Sequence, residues 1–161
     1  MSSVAFRQAC REDCALILKF IHAIAEYERL SHEVVATEEI LDDWLFKRGT
    51  AEVLFAVQDG VEVAFAVYFT NFSTFLGRGG MYLEDIFVMP QFRGNGVGKA
   101  ILSELARIAV TRGYGRLDWS CLDWNTPSIE LYLSLGAKPM DEWTTFRLTG
   151  DNLKQLAAGN S

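Results

Sequence analysis

The stretch Gln91-Phe92-Arg93-Gly94-Asn95-Gly96-Val97-Gly98-Lys99 constrains this chain more than any other. It joins a β-like run, residues 81–89, to a run with helical spacing, residues 97–112. Glycines at 94, 96 and 98 let the backbone turn sharply and leave its N–H groups uncovered by side chains. Those groups open a helix, whose N-terminus carries partial positive charge. Arg93 and Lys99 bracket the turn with fixed charge. A glycine turn of this kind can be plain punctuation. The flanking cations and the preceding strand point instead to a cradle for a phosphate or pyrophosphate.

Spacing excludes two familiar phosphate loops. The dinucleotide pattern G-x-G-x-x-G fits Gly94 and Gly96 but meets Lys99 at the third glycine. The pattern G-x-x-x-x-G-K-[ST] fits Gly98-Lys99 but has Arg93 at its first glycine and Ala100 at its hydroxyl. What remains is Arg93-x-x-Gly96-x-Gly98.

The rest of the chain reads as one α/β domain of 161 residues, long enough for a full core without staples. Residues 4–9 alternate as an opening strand, and residues 12–30 repeat apolar side chains at helical spacing. Thr37 is the expected N-cap of a second helix through Phe46, stopped at Gly49. Two β-rich runs, 52–57 and 61–70, meet at Asp59-Gly60, a strong hairpin signal. Arg78-Gly79-Gly80 reads as a turn, and Pro90 closes the strand that follows it. A strand over 117–122, a helix from Asn125 to Gly136, a strand over 144–149 and a short amphipathic tail complete the order. An early hairpin and a late strand–helix–strand crossover predict a mixed central sheet with helices on both faces.

The net charge of −6 argues against nucleic acid and mildly favours a cationic ligand. No apolar run reaches the roughly 20 residues of a spanning helix, and no leader is visible. Three cysteines form no zinc pattern and read as free, mostly buried thiols in a reducing cytoplasm. With only His22 and His32 besides, no metal site is expected.

Two constellations carry the chemistry. In the 81–89 strand, Glu84 and Asp85 interrupt an otherwise apolar run, and unpaired buried carboxylates there would cost several kcal/mol each. Alternation sends them to opposite sides: one can be structural while the other lines a cavity. Further on, Asn125, Ser128 and Tyr132 share one helical face. That face is either solvent-exposed or, in a crossover fold, beside the glycine loop at the carboxyl ends of the strands.

Together with Phe6-Arg7-Gln8-Ala9 and Glu26-Tyr27-Glu28, the segments Tyr82-Leu83-Glu84-Asp85, Arg93 to Gly98 and Trp124-Asn125-Thr126-Pro127-Ser128 resemble the GNAT N-acetyltransferase superfamily. Within it they are similar to the diamine (spermidine/spermine) and thialysine N-acetyltransferase branch. The resemblance implies that acetyl-coenzyme A lies between two parting strands. Its pantetheine arm would meet the backbone of Ile86, Phe87 and Val88. Its pyrophosphate would meet Arg93, Gly94, Asn95, Gly96, Val97, Gly98 and Lys99, with Asn125, Ser128 and Tyr132 on the other side. Glu84 would act as base through a water, the Val88 N–H would face the oxyanion, and Tyr132 would protonate the departing thiolate. Tyr27, Glu28, Glu84, Asp118, Trp119 and Ser120 are the expected substrate-binding residues. The segment 118–123 and the short Asp59-Gly60 hairpin depart from the animal diamine enzymes, which leaves polyamine, thialysine-like amino acid and other primary amines open. A homodimer is implied as well. A protein or peptide acetyltransferase and a non-catalytic acyl-coenzyme A sensor are the rival readings.

Overall fold

The computed structural model describes residues 3–159. The backbone gathers into two compact units, the first ending at Asn125 and the second beginning at Thr126.

The first unit is built on a five-stranded sheet in the order β1-β2-β3-β4-β5. The strands are β1 (Ala5–Gln8), β2 (Glu52–Gln58), β3 (Val61–Ser73), β4 (Arg78–Val88) and β5 (Leu117–Trp119). The first four form an antiparallel meander, and β5 joins β4 in parallel. A parallel neighbour needs a crossover, which α3 (Val97–Thr111) supplies. The β2–β3 hairpin turns at Asp59 and Gly60 with φ of 51° and 76°. Both lie in the left-handed region that a two-residue type I′ turn requires.

Helices cover both faces of the sheet. On one, α1 (Cys14–Tyr27) buries Ile17, Phe20 and Ile24 against Val53, Phe55, Phe65 and Phe87. Phe20 stacks on Phe65 at 4.9 Å between centroids and meets Phe55 at 5.8 Å. Arg7 fixes the start of α1 by donating to Asp13 at 2.8 and 2.9 Å and to Glu62 at 2.8 and 3.0 Å. That guanidinium holds the Asp13 and Glu62 carboxyls below the usual range. On the other face α3 buries Val97, Ile101, Leu102 and Leu105. Gly98 lies on this side, where an added Cβ would meet Val88 Cγ2 at 3.8 Å.

Several local expectations change. Thr37 does cap α2 (Glu38–Leu41), its hydroxyl accepting from Ile40 N at 3.2 Å, but the helix widens into a π-helical turn over Asp42–Lys47. Arg78-Gly79-Gly80 is no turn; it already lies within β4. The chain reverses before it, where Gly77 has φ +65° and donates its N–H to Ser73 O at 2.8 Å. Gly80 is small for a different reason: a Cβ there would stand 2.7 Å from Asn71 Oδ1 and 3.2 Å from Arg116 O. Cys14 is buried and Cys121 half-buried, while Cys10 is exposed.

The second unit holds α4 (Thr126–Ser134) and α5 (Gly150–Ala157). Gly136, at φ +89°, ends α4, and the Ala137 N–H closes back on Tyr132 O at 3.1 Å. The strand expected over 144–149 is absent from the described residues; that segment is irregular and exposed. No helix among the described residues is long and apolar enough to cross a membrane.

Candidate active site

β4 pairs with β5 only from Met81 to Leu83. It continues along β3 as far as Val88, so its other edge leaves the ladder from Glu84 onward. The two parallel strands therefore part where the functional residues begin. Register also shows why Glu84 and Asp85 differ. Leu83 pairs with Tyr68 and Asp85 with Val67, which leaves Glu84 as the extra residue of a β-bulge. The bulge resets the alternation. Asp85 shares the α1 side with Phe87, whereas Leu83, Ile86 and Val88 share the α3 side with Tyr68, Ala66 and Ala64.

Past Val88 the chain makes a short turn, Pro90–Phe92, and enters the glycine loop. Gly94 and Gly96 have φ of 80° and 78°, and Gly96 is the N-cap of α3. An added Cβ at either would find nothing within 4 Å, so the surface over this backbone is open. The Ala100 N–H bonds to Gly96 O at 3.0 Å, while the first N–H groups of any helix lack an intrahelical acceptor. An open, glycine-lined helix N-terminus beside an unpaired strand edge fits a pyrophosphate and its pantetheine arm. Gly94, Asn95, Gly96 and Lys99 are exposed, and Val97 anchors the loop in the core.

Beside this cradle stands an aromatic wall. Tyr27, at the end of α1, meets Phe87 edge-on at 6.1 Å and Trp124 at 5.7 Å. Its hydroxyl donates to Asn125 Oδ1 at 3.2 Å. Arg93 turns back from the loop onto this wall. Its Cζ lies 4.8 Å from the Tyr27 centroid and 4.9 Å from that of Phe87, and Nε donates to Val88 O at 2.9 Å. Arg29, at φ +61°, places its Cζ 5.6 Å from the Trp124 ring.

Carboxyls gather on the same side. Burial pushes Asp85 up to about 6, and the charges of Glu84 and Glu28 add to the shift. Burial likewise raises the Glu28 carboxyl. The Cys121 thiol is raised by burial first and then by Glu28 and Asp123. These groups sense one another across three elements.

The structure thus brings together Tyr27, Phe87, Val88, Arg93 and Asn125, while Glu84 is exposed at the bulge and it and Glu28 act on Asp85 through their charges. The trio Asp118, Trp119 and Ser120 is split. Asp118 pairs with Tyr82 and Trp119 with Leu83, which puts them on opposite faces of the sheet. Asp118 is an ion-pair partner of Arg116 at 3.0 Å, and Ser120 Oγ lies 2.9 Å from Tyr82 Oη. Ser128 and Tyr132 are half-buried on α4, in the second unit. Sequence reasoning missed the side chains of Phe87 and Trp124 as a wall, and Arg29 entirely. Trp124 sat inside a recognised motif, but no periodicity announces a contact between α1 and a loop 97 residues later.

Known proteins resemble this chain in sequence and in fold. Residues 18–137 match the Acetyltransferase (GNAT) family, and the chain belongs to that family of acetyltransferases. It is 37% identical to the thialysine N-epsilon-acetyltransferase of Mus musculus over 98% of this chain and 99% of that one. It is 31% identical to an L-ornithine N5-acetyltransferase of Arabidopsis thaliana, covering 93% of this chain and 86% of that one. Among solved structures it resembles an integron cassette protein from the mobile metagenome of V. cholerae. That likeness has a TM-score of 0.80 and 28% identity over 98% of each chain. Members of the GNAT family use acetyl-coenzyme A.

Proposed function

We propose that this acetyltransferase acetylates a primary amine on a small substrate that carries a second cationic group, such as a thialysine-like amino acid, ornithine or a diamine. The observation that carries the reading is the Tyr27–Phe87–Trp124 wall beside the glycine loop, with Glu28 next to Tyr27 in the chain and Asp85 on the Phe87 side of β4, both carboxyls raised by burial. Aromatic faces and desolvated carboxylates are the two surfaces that favour an ammonium. The thialysine and ornithine enzymes named above support the same class.

Acetyl-coenzyme A supplies the acetyl thioester when bound. In this reading the N–H groups of Gly94 to Gly98, with Arg93 and Lys99, hold its pyrophosphate. The backbone of Ile86, Phe87 and Val88 faces its pantetheine arm. An alkyl ammonium has a pKa near 10 and must lose a proton before it can attack. Glu84, exposed as the extra residue of the bulge, takes that proton through a water. The Val88 N–H is the donor assigned to the developing oxyanion. The amine lone pair forms the N–C bond, the C–S bond breaks, Tyr132 gives its phenol proton to the sulfur, and the second proton shed by the nitrogen restores the phenol through solvent. The roles of Tyr132 and Ser128 rest on family resemblance alone. A homodimer and a cytoplasmic location belong to the same proposal. For the first, Trp143 and Phe146 are 75% and 92% exposed, and a second copy could cover them.

The test is a panel of amines with acetyl-coenzyme A: thialysine, ornithine, 1,4-diaminobutane, spermidine, butylamine and a lysine-containing peptide. Preference for the small doubly charged amines supports the reading. Preference for the peptide, or no transfer to any amine, refutes it.

A further inference from the structure

Arg93 belongs to the glycine loop by sequence but to the aromatic wall by position. It stands over two rings at once, 4.8 Å from Tyr27 and 4.9 Å from Phe87. Those rings are inclined at 60° with centroids 6.1 Å apart, so they form a corner rather than a stack. A corner of ring faces attracts a cation through the ring quadrupoles. Asp85 lies on the same side of β4 as Phe87, and Glu28 follows Tyr27 in the chain. The place suited to an ammonium therefore holds one of the chain's own cations.

We propose that Arg93 is a built-in stand-in for the cationic end of the amine, and that it leaves the Tyr27–Phe87 corner for the pyrophosphate when acetyl-coenzyme A binds, so that the amine binds second. This rests on the reading that the amine enters beside Tyr27 and Glu28.

Three considerations drive the exchange. The corner cannot hold two cations, because like charges at ring-contact distance repel. A guanidinium presents a planar fork that matches a phosphate with two charge-assisted hydrogen bonds. On the wall, Arg93 has ring faces and one neutral acceptor, Val88 O at 2.9 Å. Finally, Val88 is among the backbone groups assigned to the pantetheine arm, and its carbonyl is engaged by Arg93. The cosubstrate gives Arg93 a better partner and claims the site that Arg93 now uses. Such differential binding is what shifts a side chain between two berths. By linkage, coenzyme A and amine then strengthen each other's binding.

The experiment is calorimetric titration of 1,4-diaminobutane and of thialysine into the protein, alone and saturated with coenzyme A, whose free thiol prevents turnover. The parent should bind whichever probe it acetylates at least about tenfold more tightly with coenzyme A than without. Arg93→Ala should bind the same probe with equal affinity in both conditions. Without coenzyme A, it should bind at least about tenfold more tightly than the parent. Coenzyme A itself should bind the variant more weakly. Arg93→Gln removes the charge but keeps much of the stem, and it decides the matter if the alanine variant fails to fold. Parent affinity that ignores coenzyme A overturns the proposal. So does a charge-removing variant whose probe affinity without coenzyme A equals the parent's or is undetectable. A parent that acetylates these amines yet binds them in either order retires only the stand-in role. A parent that acetylates no cationic amine retires the substrate reading and this inference with it.

Discussion

Replacing Asp85 with asparagine should make the protein more stable at neutral pH while weakening its hold on the amine. The Asp85 carboxyl ordinarily titrates at 3.8, and burial with the neighbouring charges raises it to about 6 in the folded protein. Between those values the folded state holds a proton that the unfolded state has released, so stability falls as pH rises through that window. Above pH 6 the loss is complete. About two units at 1.36 kcal/mol each come to about 3 kcal/mol. Asparagine has the same shape and cannot ionise. Asp85→Asn should therefore gain up to about 3 kcal/mol at pH 7.5 and almost nothing at pH 4. For a chain of this size the gain at pH 7.5 corresponds to a rise of roughly 6–12 °C in melting temperature. Urea unfolding of parent and variant at both pH values measures it. Asp13, Asp42, Glu62 and Glu104 have lowered carboxyls and act in the opposite direction, losing stability in acid. They are common to both proteins and cancel in the difference. A stability difference equal at pH 4 and 7.5, or a variant less stable at pH 7.5, would refute the reasoning.

Gly96→Val forces a β-branched residue to φ +78° and covers the loop's N–H groups. The strain should lower stability, while calorimetry should show coenzyme A affinity reduced by tenfold or more, since the covered donors are each worth about 1.5–3 kcal/mol to a charged phosphate. Tyr132→Phe keeps the ring and removes the proton donor. Steady-state kinetics should show kcat lower by roughly 10²–10⁴-fold with little change in coenzyme A affinity, and a change of only a few-fold would remove Tyr132 from the role of acid. Phe20→Ala empties the space between Phe55 and Phe65. It should cost about 3–5 kcal/mol in denaturant unfolding without altering the pH dependence of turnover.

Features governed by neighbouring residues were legible in the sequence. The Asp59-Gly60 turn, the Thr37 cap and the glycine loop each depend on a few contiguous dihedral angles, and each stands where expected. The doubly covered sheet followed from element order. Features set across strands were hidden. Gly79 and Gly80 signal a turn by composition, yet Gly80 is crowded by Asn71 of β3 and by Arg116 just before β5, which leave no room for a side chain. Asp118, Trp119 and Ser120 were grouped as consecutive letters, while the pleat divides Asp118 from Trp119. The alternating residues over 144–149 satisfy a strand pattern but meet no partner strand in the described structure. Arg93 was assigned by its company in the motif, and its position is decided by two rings from other elements.

The bulge at Glu84 has a consequence for how this chain can change length. One surplus residue is carried there without disturbing Leu83 on the α3 side or Asp85 and Phe87 on the α1 side. Deleting Glu84 would remove the carboxylate and the bulge, yet leave Leu83 opposite Tyr68 and Asp85 opposite Val67 in an unbroken ladder. A residue lost or gained where β4 has no such slack would exchange core for surface on one side of the change. The exposed turn between Ser73 and Arg78 tolerates a change of length as well, because no pairing runs through it. A designer seeking new amine specificity therefore has two places where length can change, the hairpin tip and the bulge, and only the second alters the site.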